Sequence, residues 1–261
     1  MTVTVRNSVK ERLARGEVAS SMTVRLTRSV EIVGLAKAAG FDSLYVDLEH
    51  SSLSLETTSQ ICLAALEAGI APFARMPQVD LIGRVLDGGA LGVIVPDVRS
   101  AAQAREIVQA AKYPPLGERG FAANLPHFRY HNPPATEAYA ALNAATMVIV
   151  QFECAEAVDR AEEIVAVEGI DMVLIGTNDL TADMGIPGDY ENPKVRDAYA
   201  RTIAACRKHG KHAGVGGLGS QRKLTAEFVK LGARYVSTGT DLGFLLAAAT
   251  ENAKQVRGLE T

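Results

Sequence analysis

A chain of 261 residues that is 48% hydrophobic and 22% charged has the composition of a folded protein with a substantial core, which excludes disorder as its main state. Its 27 basic residues against 30 acidic ones leave a net charge of −3, with no basic block or stripe interleaved with aromatics, so nucleic acid is not an expected partner. The first twenty residues mix Arg6, Lys10, Glu11, Arg12, Arg15 and Glu17, and no apolar run approaches the ~18 residues of a spanning helix, so the expected setting is the cytoplasm, away from membranes.

In chain order, short apolar β-type runs alternate with longer Ala- and Leu-rich segments of helical period. A strand over Val18–Val24 precedes a helix over Val30–Ala39; Ser43–Leu48 precedes Leu55–Ala68; Ala71–Arg75 precedes Leu81–Gly88; Gly92–Pro96 precedes Ala101–Ala111. Lys112 to Thr146 then interrupts the rhythm. It is rich in proline and aromatics, carries His127 and His131, and is expected to form a binding loop or small excursion. The alternation resumes with a strand over Thr146–Phe152 and a helix over Ala157–Val165, then Met172–Ile175 and Pro193–His209, His212–Val215 and Ser220–Leu231, Tyr235–Thr238 and Leu242–Val256. Several helical segments end at a glycine, as at Gly40, Gly69, Gly210 and Gly232, where a left-handed residue hands the chain to the next strand. Eight βα pairs in 261 residues fit an α/β chain folded as one (β/α)8 TIM barrel over residues 1–261, better than a doubly wound open sheet with its fewer strands.

Barrel chemistry belongs at the C-terminal ends of strands. There the second strand runs into Asp47-Leu48-Glu49-His50, the third into Arg75-Met76-Pro77, the fifth into Gln151-Phe152-Glu153 and the sixth into Gly176-Thr177-Asn178-Asp179. Glu153 and Asp179 form a plausible hard-metal pair, since carboxylates from adjacent strand ends can hold a divalent ion and leave room for water and substrate oxygens; Asp179 taken alone reads equally well as a helix cap. His50 is the candidate base, oriented by Asp47 or Glu49, or else a loop histidine capping the Ser51-Ser52 turn. Arg75 either balances charge on a ligand or forms a salt bridge across the mouth, and the cost of burying an unpaired guanidinium favours the ligand. His209 and His212 flank a helix end and read as structural. Gly117-Glu118-Arg119-Gly120 and Val215-Gly216-Gly217-Leu218-Gly219 could cradle an anion, but neither is a nucleotide-binding loop, and no G-x-S-x-G elbow or strand lysine is present. Cys62, Cys154 and Cys206 are widely spaced and read as buried apolar residues.

In order and spacing, Asp47-Leu48-Glu49-His50, Arg75-Met76-Pro77, Tyr113-Pro114-Pro115-Leu116-Gly117-Glu118-Arg119-Gly120, Gln151-Phe152-Glu153 and Ile175-Gly176-Thr177-Asn178-Asp179-Leu180 resemble the metal-dependent class II pyruvate aldolases of the HpcH/HpaI family, from about Gly34 to about Leu245. The resemblance implies a barrel whose last helix is exchanged between subunits of a hexamer built as a trimer of dimers. It implies that Glu153 and Asp179 bind the metal (Mg²⁺ or Mn²⁺, with Co²⁺ an option) beside Gln151. It further implies that His50, held by Asp47, serves proton transfer, that Arg75 contacts the keto oxygen of pyruvate, and that backbone amides near Gly176 and Thr177 hold its carboxylate. The implied activity is reversible cleavage of a 4-hydroxy-2-oxo acid to pyruvate and an aldehyde. A lyase acting on a CoA thioester and a non-catalytic metabolite-binding barrel are the alternatives. Thr177-Asn178 stands where the family commonly has Pro-Ala, and the loops Phe121 to Tyr139 and Val215 to Ser220 are expected to select the aldehyde. Arg25 and Arg28 either add charge near the mouth or play no part there.

Overall fold

Strands buried on both faces read as unbroken apolar runs, and such runs pair in parallel only when helices cover the outside of the sheet. The computed structural model describes residues 3–260 and realises this arrangement. In chain order it contains α1 (Ser8–Ala14), β1 (Ala19–Val24), α2 (Glu31–Ala38), β2 (Ser43–Asp47), α3 (Leu55–Ala68), β3 (Ala71–Arg75), α4 (Ile82–Asp87), β4 (Gly92–Val95) and α5 (Ala101–Ala111). These are followed by α6 (Ala135–Ala145), β5 (Met147–Phe152), α7 (Ala155–Asp159), α8 (Ala161–Val165), β6 (Met172–Gly176), α9 (Thr177–Asp183), α10 (Pro193–Lys208), β7 (His212–Gly216), α11 (Arg222–Leu231), β8 (Tyr235–Ser237) and α12 (Asp241–Arg257). The eight strands form a closed barrel in sequential order, and Ala19 and Ser20 of β1 pair with Tyr235 and Val236 of β8 to seal it.

Large side chains fill the lower barrel. Phe73, Ile94, Met147, Ile149, Met172, Leu174 and Tyr235 form one buried cluster, and α1 closes that end by contributing Val9 and Leu13 to it. Asn7, the N-cap of α1, ties the plug to the barrel by donating to the carbonyls of Leu91 (3.3 Å) and Ala145 (2.8 Å). With the N-terminal end sealed, the opposite end is left as the place for a cavity.

The segment from Lys112 to Thr146 joins the end of α5 to the start of β5, so it lies at the sealed end. Its aromatics pack on one another: Tyr113 stacks on Tyr139 with centroids 4.7 Å apart, and Leu125, Phe128 and Leu142 are buried with them. His127 Nε2 lies 3.1 Å from the Ala90 carbonyl just before β4, and burial pushes its imidazole down to about 4. His131 sits in the same loop, and neither histidine lines the cavity at the mouth. The Gly117–Gly120 turn serves packing as well, since Arg119 is buried against Asp87 (2.5 Å) and over the Tyr113 ring. None of the segment's residues lines the cavity at the mouth of this chain, where Phe121 to Tyr139 was expected to select the aldehyde, and the Gly117–Gly120 turn packs instead on Asp87 and Tyr113.

Three helices were not foreseen. The first, α6, lies inside the proline- and aromatic-rich stretch expected to be irregular, with Pro134 at its N-cap. The third, α9, starts immediately after β6, and α1 is the plug. The helix expected over Ala157–Val165 is broken at Arg160 into α7 and α8. No helix among the described residues is long and apolar enough to cross a membrane.

Candidate active site

At the open end, the strand termini enclose a cavity of about 480 Å³. The β2–β3 register pairs Asp47 with Arg75. Asp47 is fully buried and takes a two-pronged contact from Arg75, with Nε donating to Oδ1 at 3.0 Å and Nη2 to Oδ2 at 2.7 Å. Burial alone would raise the Asp47 carboxyl; the Arg75 contacts and the amides of His50 and Glu49 outweigh it and hold the carboxyl below its ordinary range. Those amides reach Oδ1 at 3.2 and 3.1 Å, so Asp47 shapes the backbone of the loop after β2.

His50 is placed by this loop. Its side chain is 48% exposed at the rim, and Nε2 lies 3.7 Å from Glu49 Oε2. The expectation that Asp47 holds the His50 ring is corrected. Asp47 is consumed by Arg75 and the loop amides, and it holds His50 only through the main chain. Arg75 in turn is not the unpaired guanidinium of the sequence reading, because Nη1 reaches Glu49 Oε2 at 3.1 Å and its guanidinium lies over the Tyr45 ring. The salt bridge across the mouth is therefore present, with Arg75 lining the cavity at the same time.

Across the cavity, Glu153 follows β5. Its Oε1 accepts from Gln151 Nε2 at 2.7 Å, and its Oε2 accepts from the Asp97 amide at 3.0 Å. That amide is aimed by an uncommon backbone, since Asp97 has φ of 50° without being glycine. Burial first, then the Glu49 and Asp179 carboxylates, push the Glu153 carboxyl up to about 7 against the pull of the Asp97 amide and Arg75. Gly176, which ends β6, has to lack a side chain here: a Cβ would sit 2.7 Å from both Gln151 Nε2 and Glu153 Oε1. Asp179 lines the cavity from the first turn of α9. It is not the cap of that helix, because Gly176 holds the N-cap position.

This donor set suits a hard divalent cation. All its groups are oxygens, one carboxyl is held in a buried cradle and raised by its acidic neighbours, and buried Gln151 Oε1 has no hydrogen-bond partner. Among the described residues no three His, Cys, Asp or Glu side chains form a ready-made cage, so an ion here would rest on Glu153 and Asp179 and draw further oxygens from water and substrate.

Thr177 and Asn178 fasten the wall of the cavity. The Thr177 hydroxyl lies 2.6 Å from the Gly216 carbonyl and 2.8 Å from the Tyr199 hydroxyl, and Asn178 Oδ1 accepts from Tyr190 at 2.8 Å. The β7 loop meets them, with Gly216, Gly217 and Gly219 on the cavity surface. The first-turn amides of α9 have no partner within their own helix and open next to these residues. Arg25, expected as charge near the mouth, lines the cavity; Glu49 was expected only as a partner of His50, and Asp97 carried no expectation at all. Glu49 and Arg25 carried a legible signal in their strand-end positions, whereas the turned amide of Asp97 did not. His209 bonds Glu162 and His212 opens β7, both away from the cavity. The three cysteines are buried, and burial raises the Cys62 and Cys206 thiols to about 12.

A model of the family described as HpcH/HpaI aldolase/citrate lyase matches residues 26–248. The chain is 38% identical over 263 residues to the 4-hydroxy-4-methyl-2-oxoglutarate aldolase tasA of Hapsidospora irregularis, covering 99% of this chain and 97% of that protein. It is 36% identical over 251 residues to a 4-hydroxy-2-oxo-heptane-1,7-dioate aldolase of Escherichia coli, covering 93% and 92%. Among solved structures, an HpcH/HpaI aldolase from Desulfitobacterium hafniense DCB-2 superposes with a TM-score of 0.91 at 31% identity over 97% of each chain.

Proposed function

The chain belongs to the HpcH/HpaI aldolase/citrate lyase family, and from that premise we propose that it is a divalent-cation-dependent carbon-carbon lyase acting in the cytoplasm. It cleaves a 4-hydroxy-2-oxo acid reversibly to pyruvate and a carbonyl product. The observation that carries this reading is the Glu153 carboxyl, cradled by Gln151 and the Asp97 amide and raised to about 7 beside Glu49 and Asp179. Glu153 and Asp179 would hold Mg²⁺ or Mn²⁺. When bound, the ion supplies Lewis acidity toward the 2-oxo group and so stabilises the enolate left when the C3–C4 bond breaks.

The protein's own groups do the rest. His50, exposed at the rim, accepts the proton of the 4-hydroxyl and returns it through water to C3 of the enolate, which becomes the methyl group of pyruvate; Glu49 stands 3.7 Å from its Nε2 to steady the imidazolium in between. Arg75, fixed by Asp47 and Glu49, directs a positive field at the enolate oxygen. The first amides of α9, at Thr177 and Asn178, receive the pyruvate carboxylate as a helix N-terminus receives an anion.

Dialysis against EDTA is expected to abolish pyruvate release, and Mg²⁺ or Mn²⁺ to restore it. Full activity in the chelator, together with trapping of a lysine adduct by borohydride, would overturn the reading.

The last helix supports an assembly. In α12 only Asp241 is buried, whereas Leu245 is 61% and Leu246 63% exposed. Such a face is expected to pack on a second copy of the chain, with α12 exchanged within dimers of a hexamer. The double substitution Leu245→Glu, Leu246→Glu should lower the mass measured by light scattering after gel filtration; an unchanged mass would count against the exchange.

A further inference from the structure

Tyr45 lies on β2 two residues before Asp47, and because side chains alternate along a strand both point to the same side, into the barrel. The β2–β3 register sets Tyr45 beside Phe73 as it sets Asp47 beside Arg75, so Tyr45 occupies the layer directly beneath the paired charges. It is only 5% exposed, yet it lines the cavity, and the Arg75 guanidinium lies over its ring, 5.4 Å from the centroid.

The Tyr45 hydroxyl makes no hydrogen bond among the described residues. Its neighbours in the barrel are satisfied: Thr23 pairs with Ser237 at 3.1 Å, and the Tyr235 hydroxyl lies 3.4 Å from that of Ser43. A nearly buried polar group without a partner is costly in the free protein unless a ligand supplies the partner. Burial raises the Tyr45 phenol well above its ordinary value, so at neutral pH it keeps its proton and is a donor; the charges of Arg75, Asp47 and Glu153 act on it as well. The hydroxyl thus stands in the fields of both Arg75 and Glu153, the groups that on the aldolase reading bracket the 2-oxo oxygen.

Depth points the same way. His50, which takes the 4-hydroxyl proton, is 48% exposed at the rim, so the C1–C2 head of the substrate lies deeper than C4, toward Tyr45. When the C3–C4 bond breaks, its electron pair becomes the C2–C3 double bond and the 2-oxo oxygen takes the negative charge; the 4-hydroxyl gives its proton to His50 and its bonding pair to the new C4 carbonyl. A donor fixed in advance where that charge develops stabilises the transition state more than the ground state.

We propose that Tyr45 is a catalytic residue, its hydroxyl donating, alongside Arg75, to the enolate oxygen formed as the C3–C4 bond breaks. This rests on the aldolase reading and adds a neutral second donor to it.

The test compares the Mn²⁺-loaded wild type with Tyr45→Phe, which keeps the ring under Arg75 and removes one oxygen atom. Exchange of the pyruvate methyl protons in D₂O, followed by proton NMR, reports the same enolate without any carbonyl product. Calorimetry gives the affinities for pyruvate and for oxalate, a planar dianion with negative charge where the enolate oxygen carries it. In Tyr45→Phe the exchange rate at saturating pyruvate should fall about 100-fold. Oxalate should bind about 10-fold more weakly, and pyruvate less than about 3-fold. The cation-free variant should melt no lower than the wild type, since no hydrogen bond within the protein is lost. Unchanged exchange would overturn the proposal, as would equal weakening of oxalate and pyruvate, which would make Tyr45 a contact for the ground state alone. A lower melting temperature, showing a structural partner for the hydroxyl, would overturn it too. In each of those cases the wild type still exchanges pyruvate protons; a wild type that neither exchanges them nor releases pyruvate from 4-hydroxy-2-oxoglutarate would overturn the aldolase reading itself, and the proposal with it.

Discussion

Replacing Glu153 with glutamine is expected to lower kcat/KM for pyruvate release on the order of a thousandfold while leaving the protein as stable as before, or more so. The two effects have the same origin. Burial and the Glu49 and Asp179 charges raise the folded carboxyl to about 7, while in the unfolded chain it returns to its ordinary 4.5. Between those values the unfolded chain releases the proton and the native one keeps it. The cation-free native state therefore loses stability as pH climbs from about 4.5 to about 7, and the loss persists above.

Glutamine has no charge to desolvate, and the Gln151 amide can turn to offer its unpartnered Oε1 to the new amide group. In cation-free protein, the melting temperature of Glu153→Gln should equal or exceed that of the wild type at pH 8, and the gap should narrow toward pH 5. The wild type should show the reverse response to added Mn²⁺. The ion binds the carboxylate and competes with its proton, so the stabilisation by Mn²⁺ should weaken as pH falls below 7 and be absent in the variant. A variant that keeps its turnover, or that unfolds at pH 8, would remove Glu153 from the centre of the site.

The barrel was readable from the sequence because a parallel strand covered on both faces leaves a mark that little else makes. Val148, Ile149 and Val150 of β5, or Val93, Ile94 and Val95 of β4, are β-branched runs without a polar interruption, and both are fully inside. The helices α3 and α5 agree with the sequence reading at both ends, because Ser54 and Ser100 cap them through their side chains and a serine before an Ala- or Leu-rich run is a local signal. The Lys112–Thr146 segment was legible only as far as a binding loop or a small excursion, and it is the excursion, packed on its own aromatics. Proline and clustered aromatics mark an irregular segment that packs, without saying against what; its position after α5 and before β5 does say which end of the barrel it occupies. At the site, strand-end position was enough to gather Asp47, Arg75, Gln151 and Asp179 round one cavity, with Glu153 hydrogen-bonded to Gln151. What position could not reveal was partnership. Asp47 faces Arg75 across a β-ladder register, and a register is set by the twist and shear of the closed barrel.

That partnership makes Asp47→Ala the substitution with the largest expected cost to stability, about 3–5 kcal/mol. Removing the carboxylate leaves the buried Arg75 guanidinium with Glu49 as its remaining salt-bridge partner among the described residues, and it frees the Glu49 and His50 amides that Oδ1 accepts. Chemical denaturation should report the loss, and pyruvate release should fall with it because the loop carrying His50 loses its anchor. If the cost comes from a stranded charge, then removing the guanidinium too should recover part of it: Asp47→Ala with Arg75→Met should be less destabilised than the sum of the single variants, by more than the 0.5 kcal/mol within which independent sites add.

The pH dependence has a definite sign. The folded Asp47 carboxyl lies below its ordinary 3.8, so the stability it contributes is complete above that value and drains away as pH falls through the lower folded one. In the wild type the acid limb of unfolding should carry this contribution, and in Asp47→Ala it should be missing, so that the two stability curves converge below pH 3.8. Strict additivity in the double variant, or parallel acid limbs, would show that the Asp47–Arg75 pair is not what holds the β2–β3 edge of the mouth together.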